Sequence, residues 1–310
     1  MSVAVEPPAW LWIACTVAAA GFQTARNAMQ RSLTDRLGTV GATHVRFLFG
    51  LPFGLLFAVA LFAATGPLDL RVSSSFAAWS LAGAVFQIAG TALMLAAMRE
   101  RSFVVAIAYV KTEPVQVALI GLVFLGERLS LAGTAAVLVA TCGVLLMSMP
   151  VVADRRGALQ ATRLPRAALL GIVSGAAFAL SAVGFRGAIL ELGEAPFYAR
   201  ATLTLATSLA MQAALLTAWL SWRDPRVLAA IFGSWRPSLV AGAAGAFASQ
   251  MWFLAFSLQS AAAVRTVGLV EILFAQAVSH RLFAQGTTRR EALGMVLMLA
   301  GVLGLLLAGP

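Results

Sequence analysis

The sequence predicts an all-α integral membrane protein with ten transmembrane helices, arranged as two inverted five-helix repeats. Of its 310 residues, 61% are hydrophobic and 11% are charged, whereas soluble domains carry about 25% charged residues. The mean hydropathy is +0.90, so a water-soluble globule is excluded. The net charge of +10 does not indicate nucleic-acid binding, because the basic residues lie in loops beside apolar runs, where they set membrane orientation.

Ten apolar runs follow one another with short breaks. A bilayer-spanning helix needs roughly 20 largely apolar residues, and each run approaches or exceeds that length. The predicted spans are residues 9–28, 44–64, 76–97, 102–125, 130–149, 167–190, 196–219, 237–258, 261–283 and 291–309.

A basic, Pro-containing stretch divides these spans five and five. We therefore assign residues 1–149 to a first repeat, residues 150–166 to a linker and residues 167–310 to a second repeat. One constant offset between the halves aligns Glu113 with Glu271 without a gap. An odd number of spans per half makes the second repeat enter the membrane from the opposite side, a design that transporters use for alternating access.

Two short segments carry a family resemblance. One is the region of Arg46, early in the second span, and the other is Phe-Leu-Gly-Glu-Arg-Leu at residues 124–129, which ends the fourth span. With the five-plus-five layout, they make the chain resemble the drug/metabolite transporter superfamily, in particular bacterial ten-helix proteins with two EamA-type repeats. The second half has Phe-Ala-Gln at residues 283–285 where the first has Leu-Gly-Glu, so the repeats do not share Glu127.

The orientation of the termini stays open. Most arginines lie in loops on the side opposite to the termini, and the positive-inside rule then places both termini outside. The resemblance instead implies cytoplasmic termini.

Two glutamates at the centre of predicted spans are the strongest candidates for a functional site. Glu113 and Glu271 are repeat equivalents, and ionisable groups at membrane depth tend to face a cavity or pair with each other. Each could exchange a proton or bind a cationic group of a substrate. The alternative is that both are permanently locked in ion pairs with Lys111 and Arg265.

Two cations accompany these glutamates. Lys111 could neutralise a substrate carboxylate or phosphate, or pair with a neighbouring helix. In a regular helix it cannot share a face with Glu113, although Pro114 removes a backbone hydrogen bond there and loosens the turn. Arg265 could gate the mouth of a cavity or snorkel to the interface, and interfacial anchoring is the default interpretation for Arg46.

Polar and aromatic side chains on the same or neighbouring spans complete the predicted substrate site, since together they could hydrogen-bond and enclose a polar solute. The polar candidates are Tyr109, Gln116, Gln87 and Gln250, and the aromatic ones are Trp252, Phe22 and Phe178. We predict no metal site, because His44 and His280 lie far apart without Cys or Asp at ligand spacing, and we predict no cofactor.

Secondary transport is the function that these features favour. The sequence shows no nucleotide-binding segment and no nucleophile, base or metal motif of an enzyme, and a non-transporting scaffold would not need buried charges. The resemblance implies a small organic metabolite as substrate, and mixed central charges favour an amino acid-like compound or another zwitterion. The alternative is export of a cationic drug-like or quaternary-amine compound.

The remaining expectations concern location and partners. Multiple apolar spans predict a multi-pass protein of the inner (cytoplasmic) membrane. The expected partners are a small-molecule substrate and the lipid bilayer, with no nucleic acid, and the chain is expected to act as a monomer or homodimer. Proton coupling through Glu113 or Glu271 is a further hypothesis.

Overall fold

The computed structural model describes residues 7–66, 68, 70, 72–100, 103–148, 166–283 and 289–308. In these residues the secondary structure is helical, with short turns between helices. The basic linker therefore lies, up to residue 165, outside the described residues, as do Ala284 and Gln285. The helices are α1 (Leu11–Leu48), α2 (Leu51–Thr65), α3 (Ser74–Glu100), α4 (Phe103–Val110), α5 (Glu113–Leu125), α6 (Leu131–Ser148), α7 (Arg166–Glu191), α8 (Phe197–Arg223), α9 (Pro225–Gly233), α10 (Trp235–Leu258), α11 (Ala261–Val267), α12 (Glu271–Phe283) and α13 (Arg289–Ala308).

Five helical stretches of the described chain are long and apolar enough to cross a membrane. They are Leu11–Thr65, which contains α1 and α2, and the helices α3, α7, α8 and α10. Three shorter apolar helices accompany them, at Glu113–Leu125, Leu131–Leu146 and Ala292–Ala308. Large apolar side chains such as Val123, Leu131 and Leu307 are exposed on the outside, where lipid would cover them. The predicted all-α, multi-pass class is confirmed at this level.

The first helix is longer than predicted. Residues 29–43 were expected to form the loop between the first two spans, yet helical backbone extends from Leu11 to Leu48 as two helical segments that meet at a kink. Gly38 interrupts it with a φ of 67°, a left-handed conformation that glycine adopts without a Cβ clash. The Gln30 side chain donates to the Ala42 carbonyl across this kink at 2.8 Å. Hydropathy indicates which residues face lipid and not which residues are helical. It therefore did not predict the helical part of the polar residues 29–43.

Two of the predicted spans are broken in the middle. Span 102–125 consists of α4 and α5, separated by Lys111 and Thr112, and Pro114 supplies no backbone N–H to bridge that break. Span 261–283 consists of α11 and α12, separated by a 3₁₀ turn at Gly268–Val270. Non-helical backbone at membrane depth is tolerated only where protein or a cavity surrounds it, so both breaks must face the interior.

Small residues allow three helix pairs to pack closely, as expected where lipid-exposed helices associate by van der Waals contact. The most extensive pairs are α3 with α7, α1 with α10, and α6 with α13. Gly83 and Gly184 place the backbones of α3 and α7 in contact, and Gly143 and Gly301 do so for α6 and α13. This close packing surrounds the broken helices.

We expect Gly143→Ala to destabilise the protein. A Cβ at Gly143 would overlap the backbone of Met298, and overpacking of this kind typically lowers the free energy of unfolding by about 1–3 kcal/mol. Thermal unfolding of the purified protein in detergent would measure the change. Gly21→Ala is the matched control, since a Cβ there meets open space; equal melting temperatures for both variants would contradict the packing.

Candidate functional site

The two helix breaks each present one cation and one carboxylate. Lys111 lies in the turn between α4 and α5, and Glu113 is the first residue of α5. Arg265 lies in the last turn of α11, and Glu271 is the first residue of α12. A helix N-terminus carries partial positive charge, so it stabilises a carboxylate in the first turn.

These four charges pair between the breaks rather than within them. Lys111 Nζ lies 2.5 Å from Glu271 Oε2, and Arg265 Nε lies 3.0 Å from Glu113 Oε1. All four side chains are at most 6% exposed. We call this arrangement the crossed ion pairs. The interpretation that Arg265 snorkels to the interface is wrong, because its guanidinium is buried in one of them.

Glu271 is fully hydrogen-bonded. Besides Lys111, the Gln23 side-chain amide donates to Glu271 Oε2 at 2.6 Å, and the Asn27 amide donates to Oε1 at 3.0 Å. Both amides belong to α1. Through these three donors Glu271 joins the second break to the first helix and to Lys111.

Glu113 is held more loosely than Glu271. The Arg265 Nε–H does not point at Glu113 Oε1 despite the short distance, and neither atom has a hydrogen-bond partner among the described residues. The Arg265 guanidinium lies over the Trp252 ring, 4.4 Å from its centroid, and 5.2 Å from that of Phe256. Cation–π contacts therefore hold this arginine and leave hydrogen-bonding capacity of both groups unused.

Two further arginines lie buried beside the crossed ion pairs. Arg26 is 1% exposed and Arg46 is 2% exposed, and both contact Gly245 of α10. Arg46 donates to Thr91 and Ser249 hydroxyls at 3.1 and 3.3 Å. The interpretation of Arg46 as an interfacial anchor is therefore wrong: Gly38 turns the chain back, and Arg46 points into the protein.

A central cavity lies between these groups. Its volume is about 20 Å³, which is room for about one water molecule. The lining side chains that carry charge or polarity are Gln23, Arg46, Gln87, Lys111, Glu113, Ser249, Arg265 and Glu271, and the aromatic ones are Phe178, Trp252 and Phe253. In this conformation the cavity is too small for a metabolite.

Six of the nine predicted substrate-site residues line the cavity. The structure brings together Lys111, Glu113, Glu271, Gln87, Trp252 and Arg265.

The other three predicted residues lie outside the lining. Tyr109 packs against Gly171 of α7, since it precedes the helix break and faces away. Gln116 donates to the Thr112 hydroxyl at 3.1 Å, and Gln250 donates to the Thr202 hydroxyl at 3.0 Å.

Of the two phenylalanines predicted as apolar walls, Phe178 lines the cavity, whereas Phe22 is 42% exposed and stacks on Phe247.

The polar face of α1 is the part that sequence reasoning missed. Gln23, Arg26, Asn27 and Gln30 recur at spacings of three or four residues, which places them on one face of a helix. That signal was present in the sequence. Three of the four residues lie inside the predicted first span, but so near its end at residue 28 that they were not expected at the membrane centre.

A further, half-buried ion pair lies just beyond the end of α5. Arg186 Nε donates to Glu127 Oε1 at 2.8 Å, while Glu127 Oε2 accepts the backbone N–H of Ala261 at 3.1 Å. Arg186 also donates to the Phe256 carbonyl. Glu127 thus joins the end of α5 to α7 and to the start of α11, and we call these contacts the Glu127 latch.

Comparisons with known proteins agree with this architecture. The EamA-like transporter family model matches residues 8–149. A crystal structure of a protein with 16% sequence identity superposes with a TM-score of 0.61, covering 96% of this chain and 99% of that chain. At that identity the likeness shows the fold alone. No curated protein matches the chain by sequence.

The family match and the apolar helices both indicate a membrane protein. A transporter family is consistent with the expectation that the chain is not an enzyme, and the helices identify a multi-pass membrane protein. Residues 8–149 match the EamA-like transporter family, whose domain belongs to the drug/metabolite transporter superfamily, and this match suggests a membrane transporter of that type.

Proposed function

We propose that the protein is a secondary transporter that moves a small polar organic metabolite across the cytoplasmic membrane by alternating access. The observation that carries this proposal is the pair of broken helices whose charges pair across a central cavity. Broken helices that meet at the membrane midplane are a recurrent design of substrate sites in transporters. The partners are a small-molecule substrate and the lipid bilayer, with the chain acting as a monomer or homodimer.

The proposal includes ten spans in two inverted repeats. In that scheme α1 is equivalent to α7 and α3 to α10, so the contact of α3 with α7 has the contact of α10 with α1 as its equivalent. These are two of the three most extensive helix pairs. The breaks before Glu113 and Glu271 are equivalent in the same scheme, which supports it.

Alternating access requires the central cavity to widen. A metabolite does not fit into about 20 Å³, so the broken helices must move apart before a substrate enters. The Glu127 latch holds the end of α5 against the start of α11. We propose that it closes one side of the site while the opposite side opens, and Gln285 at the equivalent position would make the two sides unequal.

The buried charges around the cavity indicate which charge a substrate should carry. Among the described residues, the buried charged side chains are the cations Arg26, Arg46, Lys111 and Arg265 and the carboxylates Glu113 and Glu271. A cationic drug-like or quaternary-amine compound would enter a region where positive charge already exceeds negative charge. On this ground a substrate that carries a carboxylate, whether an amino acid-like zwitterion or a net anion, is favoured over a cation.

Proton coupling is proposed at Glu113 rather than Glu271. Glu271 accepts three hydrogen bonds that require its oxygens as acceptors, whereas Glu113 has an unbonded oxygen beside the cavity. Arg265 faces Glu113 at 3.0 Å, and Lys111 and Glu271 act on it electrostatically. Protonation of Glu113 would release Arg265 and weaken one crossed ion pair.

The function is tested by uptake into proteoliposomes. A thermal-shift screen of the purified protein against amino acids, organic acids, organic cations, nucleosides and vitamins first selects ligands, because a ligand that binds the folded state raises the melting temperature. Radiolabelled hits should then accumulate in proteoliposomes with saturation kinetics. Ligand binding without protein-dependent uptake would contradict the transporter proposal.

We expect Glu113→Gln to remove the dependence of uptake on a proton gradient while exchange of labelled for unlabelled substrate continues. The neutral amide cannot carry a proton through the cycle, so net uptake should fall at least about tenfold, as for loss of a charge-assisted contact. Uptake at several imposed pH gradients measures this. The matched control is Glu191→Gln, a change at an exposed position. Uptake by the wild-type protein that does not change with the imposed pH gradient would contradict proton coupling.

We expect Glu127→Ala to loosen the start of α11. The Ala261 N–H loses its acceptor and Arg186 loses its carboxylate, so amide hydrogen exchange should increase at residues 261–264 by about tenfold or more. Exchange measured by mass spectrometry on the detergent-solubilised protein would detect it. Arg128→Ala, at the exposed neighbouring position, should leave exchange unchanged, and unchanged exchange in Glu127→Ala as well would contradict the latch.

A further inference from the structure

We propose that the central cavity is an anion site, built by Arg46 and Arg26 to hold a carboxylate of a substrate whose net charge is negative. This inference rests on the proposed transport function and names the class of substrate. It starts from the unequal number of buried charges around the cavity.

Among the described residues, four buried cations face two buried carboxylates. The crossed ion pairs use Lys111, Arg265 and both glutamates, so Arg26 and Arg46 have no ion-pair partner there. Isolated charges are very unfavourable in an apolar interior, where buried ions need paired charges and hydrogen bonds. An excess of two positive charges therefore calls for an anion.

The available hydrogen-bond donors point to the same conclusion. Arg46 Nε and Arg26 Nη1 are buried and have no hydrogen-bond partner. Arg46 also lines the cavity, beside the Ser249 hydroxyl. Arg26 does not line the cavity but lies next to Arg46, since both side chains approach Gly245. Unused N–H groups of these two neighbouring arginines suit a planar carboxylate, which guanidinium groups recognise through paired N–H···O bonds.

Neighbouring groups hold the arginines in place for such a ligand. The Arg26 Nε and Nη2 groups both donate to Asn27 Oδ1, at 3.1 and 2.5 Å, and Asn27 in turn donates to Glu271. Arg46 donates to Thr91 of α3 and Ser249 of α10. The partners of both arginines are fixed neutral side chains, so the positive charges are oriented without being neutralised.

The excess of buried positive charge also favours a net anion over a neutral zwitterion as the substrate. A neutral zwitterion would satisfy the guanidinium groups through its carboxylate but would leave the excess of two charges unchanged. A net anion reduces that excess. The inference therefore predicts preference for glutamate over glutamine and for a carboxylate over the carboxamide of the same skeleton.

The test compares such pairs on the purified full-length protein. Melting temperatures are measured with formate, acetate, succinate and glutamate, and with formamide, acetamide, succinamide and glutamine, at constant ionic strength in sodium chloride. We expect the carboxylates to raise the melting temperature, with apparent Kd values at least about tenfold lower than those of the carboxamides. This comparison needs no variant.

Variants then assign the site. Arg46→Gln should weaken carboxylate binding at least about tenfold. Arg46→Lys should weaken it less, because the positive charge remains. The control Arg236→Gln, at an exposed position, should bind carboxylates as the wild-type protein does. Equal shifts with carboxylates and carboxamides, or no shift with any carboxylate, would overturn the anion site. Stabilisation by chloride without a further shift from carboxylates would assign the site to an inorganic anion and overturn the substrate class.

These outcomes are distinct from failure of the proposed function. Uptake of a neutral or cationic solute that Arg46→Gln does not alter would leave a transporter without an anion site. Carboxylate binding without uptake would leave the anion site and contradict transport.

Discussion

Buried charge at membrane depth is the constraint on which the rest of this structure depends. A lone ion in an apolar helix assembly is strongly unfavourable, and removing one partner of a buried pair typically destabilises a protein by about 3–5 kcal/mol. Here each cation contacts the carboxylate of the other broken helix. The two halves of the chain therefore stabilise each other at their least apolar points, and neither break is compensated from its own helix.

Because each broken helix depends on the charges of the other, the packing of the helices determines which conformational changes the site allows. The surrounding helices pack through small residues and hold the breaks in the interior, while the crossed ion pairs close the cavity to about 20 Å³. Glu271 is tied to α1 through Gln23 and Asn27, but Glu113 retains unused hydrogen-bonding capacity. The ion pair of Glu113 and Arg265 is consequently weaker than that of Lys111 and Glu271. Separating it by a substrate or a proton would break fewer hydrogen bonds.

The sequence predicted the all-helical class and the charged residues that the structure brings together at the cavity, because both follow from hydropathy. Long apolar runs identify membrane helices, and Glu113, Glu271, Lys111 and Arg265 stand out in such runs. Their pairing between the two broken helices was not predictable, since a helical wheel describes neighbours on one helix and not contacts between two helices.

The contribution of α1 was missed for a related reason. Hydropathy ended the first span at residue 28, whereas the helix continues to the kink at Gly38 and turns Arg46 inward. Small local features also decided which amides reach the cavity. Gln116 and Gln250 instead find hydroxyl partners on Thr112 and Thr202, a choice that spacing along the chain does not determine.

A double-mutant cycle on Lys111 and Glu271 tests the central claim most directly. The unfolding free energies of Lys111→Met, Glu271→Gln and the double variant would be compared with the wild type in the same detergent. Because each single change leaves a buried charge unpaired, the account predicts that the double variant is more stable than the additive sum by at least about 1 kcal/mol. Additive effects would contradict the claim that the two broken helices depend on each other through these charges.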